Sequence, residues 1–125
     1  MNENQKRGKA SRNKGARGER ELANIFRDTY GYPVRRGYVF QGESDLVGLE
    51  GIHPEVKRKE TFNAYAAMEQ AVAEAEKRQD GVPTVFHRRD GKGWLVVMRL
   101  EDWVDLYGEW MDKTSQEGSE ESDCL

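Results

Sequence analysis

The sequence predicts an α/β protein built on one mixed sheet with helices packed against it. Three observations lead there. Apolar residues recur at helical spacing in three segments, short runs rich in β-branched and aromatic residues lie between them, and glycine or proline marks the joins. The resulting order is helix, three strands, helix, two strands, helix. A chain of 125 residues is long enough for one domain with a real core and too short for two comfortable ones.

The first helix is expected from Ala16 to Tyr30. Winding at about 100° per residue brings Leu22, Ala23, Phe26 and Tyr30 onto one stripe, and Gly31 closes it. Glu19 falls on that stripe, where a carboxylate is costly unless a partner or a metal meets it. Glu21 points to the wet side. Tyr32 to Phe40 reads as an extended segment containing Arg35 and Arg36, with Gly37 marking a bulge. Gln41 to Ser44 is a loop, Asp45 to Leu49 a second strand, Glu50-Gly51 a tight turn, and Ile52 to Arg58 a third strand in hairpin with the second.

A second helix follows from Asn63 to Gln79, with Tyr65, Met68, Val72, Ala73 and Ala75 as its packing face, ended by Gly81 and Pro83. Val82 to His87 and Trp94 to Met98 are strands joined through Arg89-Asp90-Gly91-Lys92. Trp103, Leu106, Tyr107 and Trp110 recur at helical spacing and predict a last helix from Glu101 to Met111. That stripe is read as core, with burial against a partner subunit as the alternative.

Hydrophobic residues make up 36% and charged residues 34%, so the core is compact and the surface strongly solvated. The net charge of -3 hides an asymmetry. Residues 1 to 20 hold seven basic side chains (Lys6, Arg7, Lys9, Arg12, Lys14, Arg17 and Arg20) against Glu3 and Glu19, whereas Asp112 onward is acidic. The expected organisation is a flexible basic arm over 1–14, a domain over 15–111 and a disordered acidic tail over 112–125. The arm is either a phosphate-seeking segment or a solvated leader. One cysteine, Cys124, excludes an internal disulfide and suits a reducing compartment; the longest apolar run, Leu95 to Met98, is too short to span a bilayer. A soluble, cytoplasmic protein without a membrane partner is expected.

In the stretch HPEVKRKE, Glu55 and Lys57 stand two apart in a strand, so they share one face with bases roughly 6 to 7 Å apart. Alone, such a pair is more readily a surface ion pair. Joined by Glu19 and Asp45, it becomes a group of three acids and one base. Clustered carboxylates are tolerated near a core chiefly when a divalent cation supplies the missing charge. Oxygen ligands, here carboxylates with a backbone carbonyl such as that of Val56, point to Mg2+ or Mn2+; two histidines and one tail cysteine argue against zinc. Such an ion acidifies water and stabilises charge growing on a phosphate, with Lys57 beside it. Asp90-Gly91-Lys92 repeats the spacing but lies in a turn with no second acid leading into it. His53 and His87 are read as structural.

The segments Gly15-Ala16-Arg17-Gly18-Glu19-Arg20-Glu21-Leu22, Gly42-Glu43-Ser44-Asp45-Leu46-Val47 and Glu55-Val56-Lys57-Arg58 together resemble the PD-(D/E)XK nuclease superfamily, and within it the archaeal-type Holliday junction resolvases and their small phage relatives. The likeness covers roughly residues 15 to 100. It implies a restriction-endonuclease-like αβββαβ core and a metal-dependent DNA endonuclease of recombination, acting on four-way or branched DNA, commonly as a homodimer, in the host cytoplasm if phage-encoded. By the same likeness Glu19, Asp45 and Glu55 are active-site acids, Asp45 and Glu55 the main metal ligands, Lys57 the catalytic lysine and Gln70 a glutamine near the site. Ser44 stands where the pattern has proline, and the Asp45 to Glu55 interval is short. Arg17, Arg20, Arg35, Arg36 and Arg58 are the candidate DNA contacts. The alternative is a non-catalytic nucleic-acid-binding protein that keeps the fold.

Overall fold

The computed structural model describes residues 2–123, and for 7–14 and 116–123 the backbone alone. Cys124 and the side chains of Arg7, Lys9, Arg12 and Lys14 lie outside that description. Helix α1 (Glu3–Asn24) passes into a π-helical turn (Ile25–Thr29). Strand β1 (Arg35–Arg36), a 3-10 turn (Val39–Gln41), β2 (Leu46–Val47), β3 (Ile52–Arg58), α2 (Ala64–Arg78), β4 (Val82–Arg88), β5 (Leu95–Val97) and α3 (Leu100–Asp123) follow.

β3 pairs with β4 in parallel, from Ile52 beside Val82 to Arg58 beside Arg88, and β4 pairs with β5 antiparallel. The result is a mixed three-stranded sheet, β3-β4-β5, whose parallel pair is bridged by α2. Successive residues of a strand face opposite sides. Val56 and Phe86 therefore pack with Leu22 and Ala23 of α1, while Val85 packs with Ala67 and Ala71 of α2. One helix covers each face.

Several expectations need correction. The sheet is not continuous: β2 pairs with β1, not with β3 as a hairpin partner. A physical reason lies at Val56, whose N–H is donated at 2.8 Å to the Asp45 carboxylate rather than to a β2 carbonyl. The long strand expected over Tyr32 to Phe40 shrinks to two residues because the chain turns at Val39–Gln41. α1 begins at Glu3, well ahead of Ala16, so the backbone of the expected flexible arm is helical. A capping box starts it: Asn2 Oδ1 accepts from Gln5 N–H at 2.8 Å and Gln5 Oε1 accepts from Asn2 N–H at 3.0 Å. α3 likewise continues past Met111 through the expected tail to Asp123.

The faces of two helices also differ from their periodicity. α2 buries Ala67, Ala71 and Ala75, a row at i, i+4, i+8, and leaves Tyr65 and Ala73 exposed. Small side chains let the helix sit close on Val85, which is fully buried. In α3 the stripe Trp103, Leu106, Tyr107 and Trp110 is exposed rather than core, with Trp103 and Tyr107 stacked at 5.1 Å between ring centres. In α1 Leu22 and Ala23 are buried as expected, but the π-helical turn carries Tyr30 off the stripe into solvent. Among the described residues no helix is long and apolar enough to cross a membrane.

Gly37 sets the approach of β1 to the Ser44-Asp45 segment. A Cβ there would lie 1.6 Å from the Ser44 carbonyl oxygen, and Gly37 N–H donates to the Asp45 carbonyl at 2.9 Å. Gly37→Ala is expected to push the two segments apart and to cost about 1–3 kcal/mol. Chemical denaturation measures this, and an unchanged midpoint would contradict it.

Candidate active site

A cavity of about 580 Å3 opens beside β3, lined by Gly15, Glu19, Asp45, Glu55, Val56, Lys57, Arg58, Lys59, Glu60, Thr61 and Gln70. The loop before β2 supplies Asp45, β3 supplies Glu55 to Arg58, α1 supplies Glu19 and α2 supplies Gln70. All six residues expected at the chemical centre thus line one space. Strand alternation explains the β3 contribution, since His53, Glu55 and Lys57 share a face.

Lys57 Nζ donates to Gln70 Oε1 at 2.7 Å, which steadies a long, flexible side chain at the cavity. Asp45 Oδ2 accepts from Val56 N–H at 2.8 Å, and Glu55 Oε1 lies 3.0 Å from His53 Nε2. Each acid therefore has one oxygen held by the protein. Among the described residues no hydrogen bond engages Asp45 Oδ1 or Glu55 Oε2.

The electrostatics are unbalanced. Burial pushes the Asp45 carboxyl up to about 7, the charges of Glu55 and Glu19 push the same way, and the Val56 N–H and Lys57 oppose them. A dication would relieve that conflict. Among the described residues no three His, Cys, Asp or Glu side chains form a ready metal cage. Magnesium does not need one, because one or two carboxylates, a carbonyl and waters complete its octahedron. Asp45, Glu55 and the Val56 carbonyl have the donor chemistry for it. Glu19 is placed differently from expectation: its Oε2 accepts from Arg36 Nε at 2.6 Å, so in this state it is an ion-pair partner at the cavity wall.

The candidate DNA contacts divide. Arg17 and Arg20 are exposed on α1. Arg35 instead grips Glu43 with both terminal nitrogens, at 3.1 and 2.6 Å, and lies 4.9 Å over the Tyr38 ring. Arg36 is held by Glu19, and Arg58 reaches Asp90 at 3.1 Å and Glu21 at 3.8 Å. In the resting chain these three have intrachain acidic partners. Glu21 is accordingly not a wet-side residue: it also accepts from Trp94 Nε1 at 3.1 Å and lies 3.3 Å from Arg88, tying α1 to the sheet.

Two residues escape the sequence pattern. Lys59 is exposed at the cavity mouth, two positions beyond Lys57. His53 is wholly buried, with Nε2 on Glu55 and Nδ1 at 2.8 Å from Asp80 Oδ1. Burial alone would lower its pKa, but hydrogen bonds to Glu55 and Asp80 outweigh that and raise it above the ordinary histidine value. Its signal was available: His53 precedes Glu55 by the same two positions by which Lys57 follows it. His87 is structural, stacked 3.8 Å from Phe62 and hydrogen-bonded to the Lys59 carbonyl at 3.0 Å. No protein-family model and no curated protein matches this chain.

Proposed function

We propose that the protein is a Mg2+- or Mn2+-dependent DNA endonuclease with a restriction-endonuclease-like core of the PD-(D/E)XK kind, selective for four-way or branched DNA. The observation that carries this reading is the convergence of Asp45, Glu55, Lys57 and Gln70, from two loop-and-strand segments and a helix, on one cavity. Bound there, the cation would supply water activation and charge neutralisation at the scissile phosphate. Asp45 and Glu55 would hold it, with the Val56 carbonyl as a further donor. Lys57, kept in place by Gln70, puts its ammonium where charge grows on the phosphate. Lys59, exposed at the cavity, and Arg17 and Arg20, exposed on α1, would neutralise flanking phosphates.

Symmetric cutting of a junction needs two sites, and a homodimer supplies them. The exposed α3 stripe supports a second copy as its cover. Beside the root of that helix lies an apolar cavity of about 690 Å3 whose walls include Tyr65, Met68, Val72, Val97, Met98 and Leu100. A projecting aromatic face and an apolar hollow on one chain are the two halves that a self-complementary interface requires. A chain whose only cysteine is next to last suits the reducing cytoplasm.

The test is incubation with Mg2+ and a labelled four-way junction, a linear duplex or single-stranded DNA, with Asp45→Ala in parallel. Cleavage of the junction by the wild type alone is expected. Binding without cleavage on every substrate would favour a non-catalytic nucleic-acid-binding protein, and equal cutting of the linear duplex would remove the junction preference.

A further inference from the structure

Behind the cavity runs a buried chain of polar side chains that the proposed chemistry does not use directly. Ser44 Oγ donates to Asp80 Oδ2 and lies 3.1 Å from His53 Nδ1. Asp80 Oδ1 is 2.8 Å from the same nitrogen, and His53 Nε2 is 3.0 Å from Glu55 Oε1. Ser44, His53 and Glu55 are buried and Asp80 is partly so, with its side chain 32% exposed. A serine, a histidine and an aspartate together invite comparison with a nucleophilic triad, but the roles do not fit. Serine and aspartate both meet Nδ1, and Nε2 is already committed to Glu55, so no ring nitrogen is left to take the serine proton.

The arrangement suits a brace. Each ring nitrogen lies within hydrogen-bond distance of a carboxylate oxygen, so the ring cannot turn without breaking two hydrogen bonds. Asp80 follows the α2 C-cap at Gln79 and stands two positions before Val82, the first residue of β4, whose Pro83 lies beside His53 in the parallel ladder. The histidine is thus anchored to the strand neighbouring its own.

Resting on the metal-dependent reading above, we propose that His53, anchored by Asp80 and Ser44, is a positioning residue that makes Glu55 a one-oxygen ligand and so tunes the site for Mg2+ and Mn2+ against Ca2+. With Oε1 drawn back to His53, Oε2 is the oxygen without a hydrogen bond among the described residues and the better placed to meet a cation, as Oδ1 is in Asp45, whose Oδ2 accepts from the Val56 N–H. Calcium prefers six to eight oxygens and often takes both oxygens of a carboxylate, whereas magnesium keeps an octahedron with few protein ligands and several waters. Partners behind a metal ligand typically change metal affinity by about 10- to 100-fold when removed.

The test measures Mn2+ binding by the electron paramagnetic resonance of the free ion, then displacement of Mn2+ by Mg2+ or Ca2+. It uses the full chain as wild type, Asp45→Ala, His53→Gln, Asp80→Ala and Ser44→Ala. Wild type is expected to bind Mn2+ and to release it to Mg2+ in preference to Ca2+. His53→Gln and Asp80→Ala should lower the Mg2+ over Ca2+ preference about tenfold, and Ser44→Ala should lower it less. A purely structural His53 would lower the melting temperature and leave that ratio alone. Should His53→Gln fail to fold, Asp80→Ala, altered at a partly exposed side chain, decides. An unchanged ratio in folded variants whose Mn2+ binding still depends on Asp45 overturns the brace and leaves the metal site standing. Absence of Mn2+ binding by the wild type, or full binding by Asp45→Ala, overturns both.

Discussion

Lys57→Ala is expected to reduce Mg2+-dependent cleavage by about 10²- to 10³-fold, some 3–4 kcal/mol of transition-state stabilisation, while changing Mn2+ affinity and junction affinity by less than about threefold. The split follows from the separate jobs of the side chains. Lys57 brings a positive charge whose only side-chain hydrogen bond among the described residues is to the neutral Gln70 at 2.7 Å. Asp45 and Glu55 carry the unshared oxygens. Asp45→Ala should therefore lose cleavage and metal binding together, and Gln70→Ala should lower the rate about tenfold by freeing the lysine. Single-turnover cleavage with saturating enzyme provides the comparison. A Lys57→Ala rate within threefold of wild type would remove the lysine from the chemistry.

The second large effect concerns stability. Asp45 titrates near 3.8 as an unperturbed group and is pushed up to about 7 in the folded chain, chiefly by burial, then by Glu55. The folded state therefore holds the proton more tightly than the unfolded one. Where the folded state binds more protons, stability falls as pH rises. The Asp45 contribution is fully present below about pH 4, declines between about 4 and 7, and is lost above that. Asp45→Asn keeps an acceptor for the Val56 N–H but cannot ionise. Its advantage over the metal-free wild type should grow across this window to roughly 2–4 kcal/mol. Urea denaturation at pH 4, 5.5 and 7.5 checks it; a difference that stays constant with pH would refute the cause. Added Mg2+ should close the gap above pH 7 by stabilising wild type alone.

The α/β class, the two middle helix boundaries and β3 are legible from local pattern, because each is a property of neighbouring residues. Ile52–Arg58 appears as a strand with the expected bounds, and Asn63 and Gln79 flank α2 as its caps. The grouping of Glu19, Asp45, Glu55, Lys57 and Gln70 follows from strand alternation and one helical stripe joined to a family likeness. What local pattern misses depends on partners distant in the chain. Arg35 and Arg36 read as free cations because Glu43 and Glu19 are eight and seventeen positions away. Glu21 reads as a wet-side acid because Trp94 and Arg88 meet it only after folding. Asp80 carries no spacing signal at all, since its link to His53 exists only through the parallel ladder. The α3 stripe has the period of a buried face, and a period cannot say whether the cover comes from the same chain. Ser44 donates a hydrogen bond to Asp80 that a proline at this position could not.

Parallel pairing of β3 with β4 has a consequence during synthesis. β3 leaves the ribosome before the strand that supports it, and the whole of α2 must be made in between. Until Val82–Arg88 has emerged, His53 and Glu55 lack their ladder neighbours Pro83 and Val85. A chain ending before Val82 therefore cannot form the β3–β4 pair, and the cavity wall that Glu55 to Arg58 supply is left without its neighbouring strand.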